Sequence, residues 1–172
     1  MFRDLRADEI ECRVAKIDDY GNVTVLLYKD ARCDQNILDE TVGAMNWMRR
    51  HTRENANCIV SLWDERKQMW VDKEDTGTES NTEKEKGLAS DSFKRACFNW
   101  GIGRELYTAP TIKIKPDDCA ALKKYGDKWK CFDNFTVEKI VIENKRIVAI
   151  SIKNEKKRCY VWQHPSWVKN NA

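Results

Sequence analysis

The sequence predicts an α+β fold: an antiparallel β-hairpin and meander sheet packed on a central amphipathic helix, with a C-terminal β-hairpin appendage. Three observations carry this expectation. Apolar and polar residues alternate in short runs at 10–28, 45–71 and 135–153. The period lengthens to 3.6 residues over one long stretch, 82–100. Strands lie before and after that stretch instead of alternating with helices, which favours an antiparallel sheet over a parallel one.

Each element has a local cause. Residues 10–17 and 23–28 read as strands, and Asp19-Tyr20-Gly21-Asn22 between them is a turn. Asp30 is suited to cap a helix running to Val42, with Ala31, Ile37, Leu38 and Val42 near helical spacing and Gly43 as its stop. A meander follows at 45–53, 58–63 and 68–71, with turns at 54–57 and 64–67. The polar stretch 72–81, which contains Gly77, reads as a loop. Over 82–100, Ala89, Phe93, Ala96, Cys97 and Trp100 share one helical face, and Lys84, Asp91, Lys94 and Arg95 lie toward the other. Gly101 and Gly103 end that helix. After Pro110, residues 111–115 read as extended, and Pro116-Asp117 opens a short helix through Tyr125 that Gly126 closes. A second hairpin joins 135–142 to 146–153 through Glu143-Asn144-Lys145.

With 172 residues the chain has room for a core domain, placed at 1–110, and a basic α/β appendage at 111–172. It is 41% hydrophobic and 34% charged, with only 7 Gly and 3 Pro, which excludes global disorder and a membrane-embedded protein. The first residues form no apolar signal segment, so the expected location is cytoplasmic. In that compartment the 7 Cys are expected to be reduced and to fill small buried sites. They contain no CxxC pair, and His51 and His164 lie far apart, so neither zinc nor any other cofactor is expected.

Charge is distributed unevenly. Residues 111–172 hold 14 Lys and Arg against 7 Asp and Glu, whereas 1–110 hold 17 against 21. Such regional basicity suits a polyanionic partner, although lysine-rich surfaces also arise from solubility alone.

Residues 87–107 are the densest motif. Small residues on the buried helical face allow close approach to a sheet, which leaves Lys94 and Arg95 on a rigid element, where paired cations can make defined phosphate contacts. A solvated basic pair on an ordinary amphipathic helix is the plainer alternative. Gly101-Ile102-Gly103 follows a helix instead of opening one and lacks a Lys-Ser/Thr ending, so it is no nucleotide loop.

The runs Ala89-Ser90-Asp91-Ser92-Phe93-Lys94-Arg95-Ala96 and Gly101-Ile102-Gly103-Arg104-Glu105-Leu106-Tyr107 resemble the signature of Rad fifty-two-type single-strand annealing proteins, particularly their short, Sak-like phage forms. The resemblance covers about residues 5–110 and leaves 111–172 without a counterpart. It implies binding of single-stranded DNA without sequence preference, ATP-independent annealing of complementary strands in phage recombination, and no catalytic residues. The partners it implies are single-stranded DNA, further copies of the chain in a ring or helical filament, and a single-strand-binding protein, with no membrane. By the same resemblance Lys94 and Arg95 are the inner phosphate-contacting pair and Arg32 a second groove-lining cation. Lys29, close to Arg32 in the sequence, and Arg104, within the second of these runs, join the expected set, and Lys84 and Lys86 correspond to an outer DNA site.

Seven Trp offer stacking platforms for bases. Alternation and helical phase assign Trp63, Trp70 and Trp100 to packing, and leave Trp129, Trp162 and Trp167 as the better candidates for exposure. Two rival readings stay open. Glu65-Arg66-Lys67 and Glu143-Asn144-Lys145 have the Glu-x-Lys spacing of a metal-dependent nuclease, with Asp72, Glu74 and Asp75 as potential Mg²⁺ ligands. Alternatively, the basic last third is a protein-docking face.

Overall fold

The structure, a computed structural model, describes residues 1–78 and 84–171, with side chains described for all of these except 84–86, 170 and 171. In chain order the elements begin with β1 (Glu11–Ile17), β2 (Val23–Tyr28), α1 (Ala31–Val42), β3 (Trp47–Thr52), β4 (Asn57–Asp64), β5 (Met69–Thr76) and α2 (Lys84–Asn99). They continue with β6 (Ile112–Ile114), β7 (Leu122–Tyr125), β8 (Lys128–Cys131), β9 (Phe135–Glu143), β10 (Arg146–Asn154), β11 (Lys157–Gln163) and α3 (Pro165–Asn171). The expected α+β class is observed, with every strand pairing antiparallel. Among the described residues no helix is long and apolar enough to cross a membrane.

The chain forms two compact units, Met1–Asp4 with Asp30–Gly103, and Leu5–Lys29 with Arg104–Ala172. This division differs from the expected one at residue 110. The reason is strand pairing at long range. In the second unit the six strands run in the order β11-β10-β9-β1-β2-β6, so the N-terminal hairpin is hydrogen-bonded between strands of the last third. Its core is Val23, Val25, Ile112, Ile114, Phe135, Ile147, Ile150 and Ile152, all buried.

The first unit is the meander β3-β4-β5 with α1 and α2. Asp30 caps α1 by accepting the Cys33 N–H at 2.9 Å, and Ile37 and Leu38 on its inner face are fully buried. On α2, Phe93, Ala96 and Cys97 are buried as their helical phase predicts, and Ser92 is buried with them. Close approach is enforced at Gly77, where an added Cβ would lie 2.5 Å from the Ser92 backbone nitrogen and 2.9 Å from the Leu88 carbonyl oxygen.

Two local expectations are corrected and one is extended. The expected loop at 72–81 is strand as far as Thr76, while 79–81 lie outside the described residues. Lys73 and Asp75 occupy half-buried inward positions there and are held by α2, so the alternation shows in burial but not in hydropathy. The expected helix from Pro116 to Tyr125 stops after the single 3-10 turn Pro116–Asp118, and the rest pairs as the hairpin β7–β8 with Gly126 at φ +60 in its turn. That hairpin docks on the β1–β2 turn, where a Cβ on Gly21 would meet Pro116, Leu122 and Trp129 at 3.3–3.4 Å. Finally, β11 and α3 extend the C-terminal hairpin into a three-stranded edge with a closing helix.

Candidate nucleic-acid interface

In the first unit the site is built on α2. Trp47 of β3 stacks on Phe93, with ring centroids 6.2 Å apart, and the Arg49 guanidinium lies 4.9 Å from the Phe93 ring centre. Lys73 of β5 sits 4.4 Å from the Trp100 ring and donates to the Asn99 carbonyl at 2.8 Å, where a cation complements the helix C-terminus. Burial first, and then the Arg49 cation, hold His51 below the usual histidine range. These contacts fix the helix, and with it the two expected phosphate ligands.

Lys94 and Arg95 are neighbours in sequence but stand about 100° apart around the helix. Arg95 turns toward β5, where its Nε donates to Asp75 Oδ1 at 3.2 Å, and Asn99 Nδ2 shares the same carboxylate at 3.2 Å. Lys94 is half-buried and has no carboxylate partner among the described residues. Arg32, in the first turn of α1, is 85% exposed and donates to Asp30 Oδ2 at 2.8 Å. Burial works against the charged form of Asp30, but the Cys33 N–H and the Arg32 guanidinium outweigh it and keep the carboxyl below its ordinary value. Exposed pairs of this kind contribute about 0–1 kcal/mol, so Arg32 and Arg95 can exchange a carboxylate for a phosphate at small cost.

The remaining expected residues diverge. Lys29 belongs to the second unit and is only 5% exposed, unlike the other expected phosphate ligands whose side chains are described. Arg104 is exposed at the start of the 3-10 turn Arg104–Thr108 and is likewise part of the second unit. The side chains of Lys84 and Lys86 lie outside the described residues. Arg49 and Arg50 were not anticipated. Strand alternation places them on opposite faces of β3, and only Arg49, in phase with Trp47, faces α2.

The second unit presents its own basic element. In the β7–β8 hairpin Lys123, Lys124, Lys128 and Lys130 are all exposed, and none has a carboxylate partner among the described residues. Lys124 lies 5.6 Å from the Trp129 ring and Lys130 lies 5.4 Å from the Tyr125 ring. Tyr125 and Phe132 are 52% and 63% exposed, so aromatic faces stand beside ammonium groups. Trp129 is half-buried and its indole donates to the Asp19 carbonyl at 3.1 Å, which makes it the anchor of the hairpin more than a free platform. Trp162 and Trp167 are also only half-exposed. The expectation of a helix hid this element.

By contrast, the Lys156-Lys157-Arg158 run is largely compensated within the fold. Lys157 Nζ donates to Asp118 Oδ1 at 2.9 Å, and Arg158 forks onto both oxygens of Glu138 at 2.5 and 2.9 Å. That fork, with the Ser151 hydroxyl, brings the Glu138 carboxyl down to about 2.

Glu65-Arg66-Lys67 and Glu143-Asn144-Lys145 both include hairpin-turn residues, and their carboxylates accept the indole N–H groups of Trp63 and Trp167. Asp72 and Glu74 alternate away from Asp75 on β5, so the three acids do not converge. Burial pushes the Cys12 and Cys119 thiols up to about 12 and those of Cys58 and Cys159 up to about 11, which keeps these four protonated near neutral pH. Compared with protein-family models, with curated proteins and with solved structures, the chain finds no match.

Proposed function

We propose that the protein binds single-stranded DNA through its backbone and anneals complementary strands without ATP, as a multimeric ring or helical filament acting in recombination in a bacterial cytoplasm. The observation that carries this reading is the set of unpartnered lysines. Although the chain contains 28 acids, Lys94 on α2 and four lysines of the β7–β8 hairpin have no carboxylate partner among the described residues. Sequence-independent binding of a polyanion draws on such cations, and exposed aromatic rings beside them add stacking that tolerates any base. The motif likeness at residues 89–96 and 101–107 points to annealing as the outcome of that binding. Head-to-tail contacts between copies would repeat the cationic surface along a long strand.

The test is annealing of two complementary oligonucleotides with and without ATP, beside a Mg²⁺-dependent cleavage control and a light-scattering measurement of mass. ATP-independent acceleration of pairing by a multimer supports the reading. A monomer that leaves the pairing rate unchanged overturns it, as does cleavage of either strand with no effect on pairing.

A further inference from the structure

We propose that Cys119, Cys131 and Asp133 bind one zinc-class divalent ion at the base of the β7–β8 hairpin. The inference stands apart from the DNA-binding reading. Cys119 follows the 3-10 turn Pro116–Asp118 that precedes β7, and Cys131 is the last residue of β8, registered opposite Leu122. Pairing of the two strands therefore draws together cysteines that are twelve positions apart in sequence. Asp133 lies two residues beyond. Ligand atoms of the three side chains lie within 4.8 Å of one another, and Cys131 Sγ is 3.2 Å from Asp133 Oδ2. A tetrahedral zinc with two bonds of about 2.3 Å to sulfur needs sulfurs about 3.8 Å apart, so the cluster closes on an ion with small movements.

The carboxylate is already oriented. Asp133 Oδ1 accepts the N–H groups of Ala120 at 2.8 Å and Ala121 at 3.0 Å, together with Asn154 Nδ2 at 2.8 Å. Oδ2 accepts from Ala121 at 3.0 Å and faces the Cys131 sulfur. Hydrogen bonds of this kind to a ligating carboxylate form the supporting layer that metal sites use. Three ligands leave the fourth tetrahedral position to a water. Two sulfur ligands select zinc over magnesium or calcium. On binding, each thiol gives its proton to solvent and forms a sulfur–metal bond, so two thiolates and one carboxylate surround a dication.

The fold gains a staple where it is thinnest. β7 and β8 are a separate two-stranded sheet of four residues each, and such a hairpin is marginal in water without support. An ion at its base ties the segment before β7 to the end of β8 and, through Asn154, to β10.

The test uses the full chain, purified with a phosphine reductant, with zinc as the probe in native mass spectrometry and in competition with a chromogenic chelator. One zinc per chain is expected, with affinity falling at least about 10-fold in Cys119→Ser and in Cys131→Ser and unchanged in Cys33→Ala. Should the serine variants fail to fold by circular dichroism, Co²⁺ titration of the unaltered chain decides, since two sulfur ligands give a thiolate-to-cobalt absorption band. A reduced chain that binds no zinc and shows no such band overturns the proposal. So does zinc retained at full affinity by both folded serine variants, or a chain whose Cys119 and Cys131 form a disulfide and bind no zinc once reduced.

Discussion

Arg95 Nε and Asp75 Oδ1 lie 3.2 Å apart, an ion pair between α2 and β5 that separates the roles of the two adjacent cations of the helix. Lys94 is available to a phosphate as it stands, whereas Arg95 must leave Asp75 to reach one. Lys94→Gln is therefore expected to weaken single-strand binding more than Arg95→Gln, lowering the slope of log affinity against log salt by about 0.7, the value for one lost single-strand phosphate contact. Asp75→Asn keeps the shape but removes the charge and one of the two acceptor oxygens that hold Arg95 and Asn99, which releases the guanidinium, and should strengthen binding and steepen the slope. Salt titrations of fluorescence anisotropy measure all three, and equal effects of Lys94→Gln and Arg95→Gln would contradict this division of labour.

Gly77 governs how closely β5 and α2 approach. A methyl group there meets backbone atoms of Ser92 and Leu88 below van der Waals distance, and backbone cannot rotate away as a side chain would. Gly77→Ala is expected to destabilise the first unit by about 1–3 kcal/mol, the usual cost of overpacking, with chemical denaturation as the measurement. Gly126→Ala is the contrast: nothing lies within 4 Å of its Cβ position, so only the strain of its positive φ is added. An equal loss in both variants would show that close approach at Gly77 is not what holds the helix.

Much of this architecture was legible because its causes are local. Asp30 before α1, Gly43 after it, alternation along β1 and β4, and the phase of Phe93, Ala96 and Cys97 each act within one or two turns of chain. What stayed hidden depends on distant partners. That β1 pairs with β9 and β2 with β6 follows from no pattern in residues 10–28, and it moves the N-terminal hairpin out of the unit that holds α2. The turn signal Pro116-Asp117 is real but ends after three residues, since Leu122-Lys123-Lys124-Tyr125 has no apolar stripe to continue a helix. Among the candidate residues, the place of Lys94 outside the buried face of α2 follows from helical phase, but the pairing of Arg95 with Asp75, the burial of Lys29 and the forked contact of Arg158 with Glu138 all needed the fold.

The Arg158–Glu138 contact predicts a specific acid sensitivity. The Glu138 carboxyl is lowered from an ordinary 4.5 to about 2, chiefly by the Arg158 fork and then by the Ser151 hydroxyl. A carboxyl lowered in the folded state stabilises fully above its unfolded value, and that contribution is lost as pH falls toward the folded one. The gap in stability between the parent and Arg158→Gln should thus be constant above about pH 5 and close progressively as pH falls through about 4 toward 2. Urea titrations at stepped pH measure it. Because the guanidinium is already committed to Glu138, the same variant should leave single-strand affinity at neutral pH nearly unchanged, and a large loss of affinity would give Arg158 a DNA contact that this geometry does not.

The β7–β8 hairpin carries the strongest test of the second unit. Its lysines lie on both strands, Lys123 opposite Lys130 and Lys128 opposite Tyr125, and like charges that face one another across a hairpin repel unless an anion lies between them. A DNA backbone is such an anion. Replacing Lys123, Lys124, Lys128 and Lys130 together with Gln should lower the salt slope of single-strand binding by about 3, four contacts at about 0.7 each, and should raise the thermal stability of the DNA-free chain by removing the repulsion. Tyr125→Ala and Phe132→Ala test stacking separately, since a lost base platform costs about 1–3 kcal/mol of affinity with the salt slope intact. Anisotropy titrations at three salt concentrations distinguish these signatures. If the four-fold variant is folded, binds with the parental slope and differs only in stability, the hairpin is no phosphate ligand, and the binding surface is confined to α1, α2 and their neighbours in the first unit.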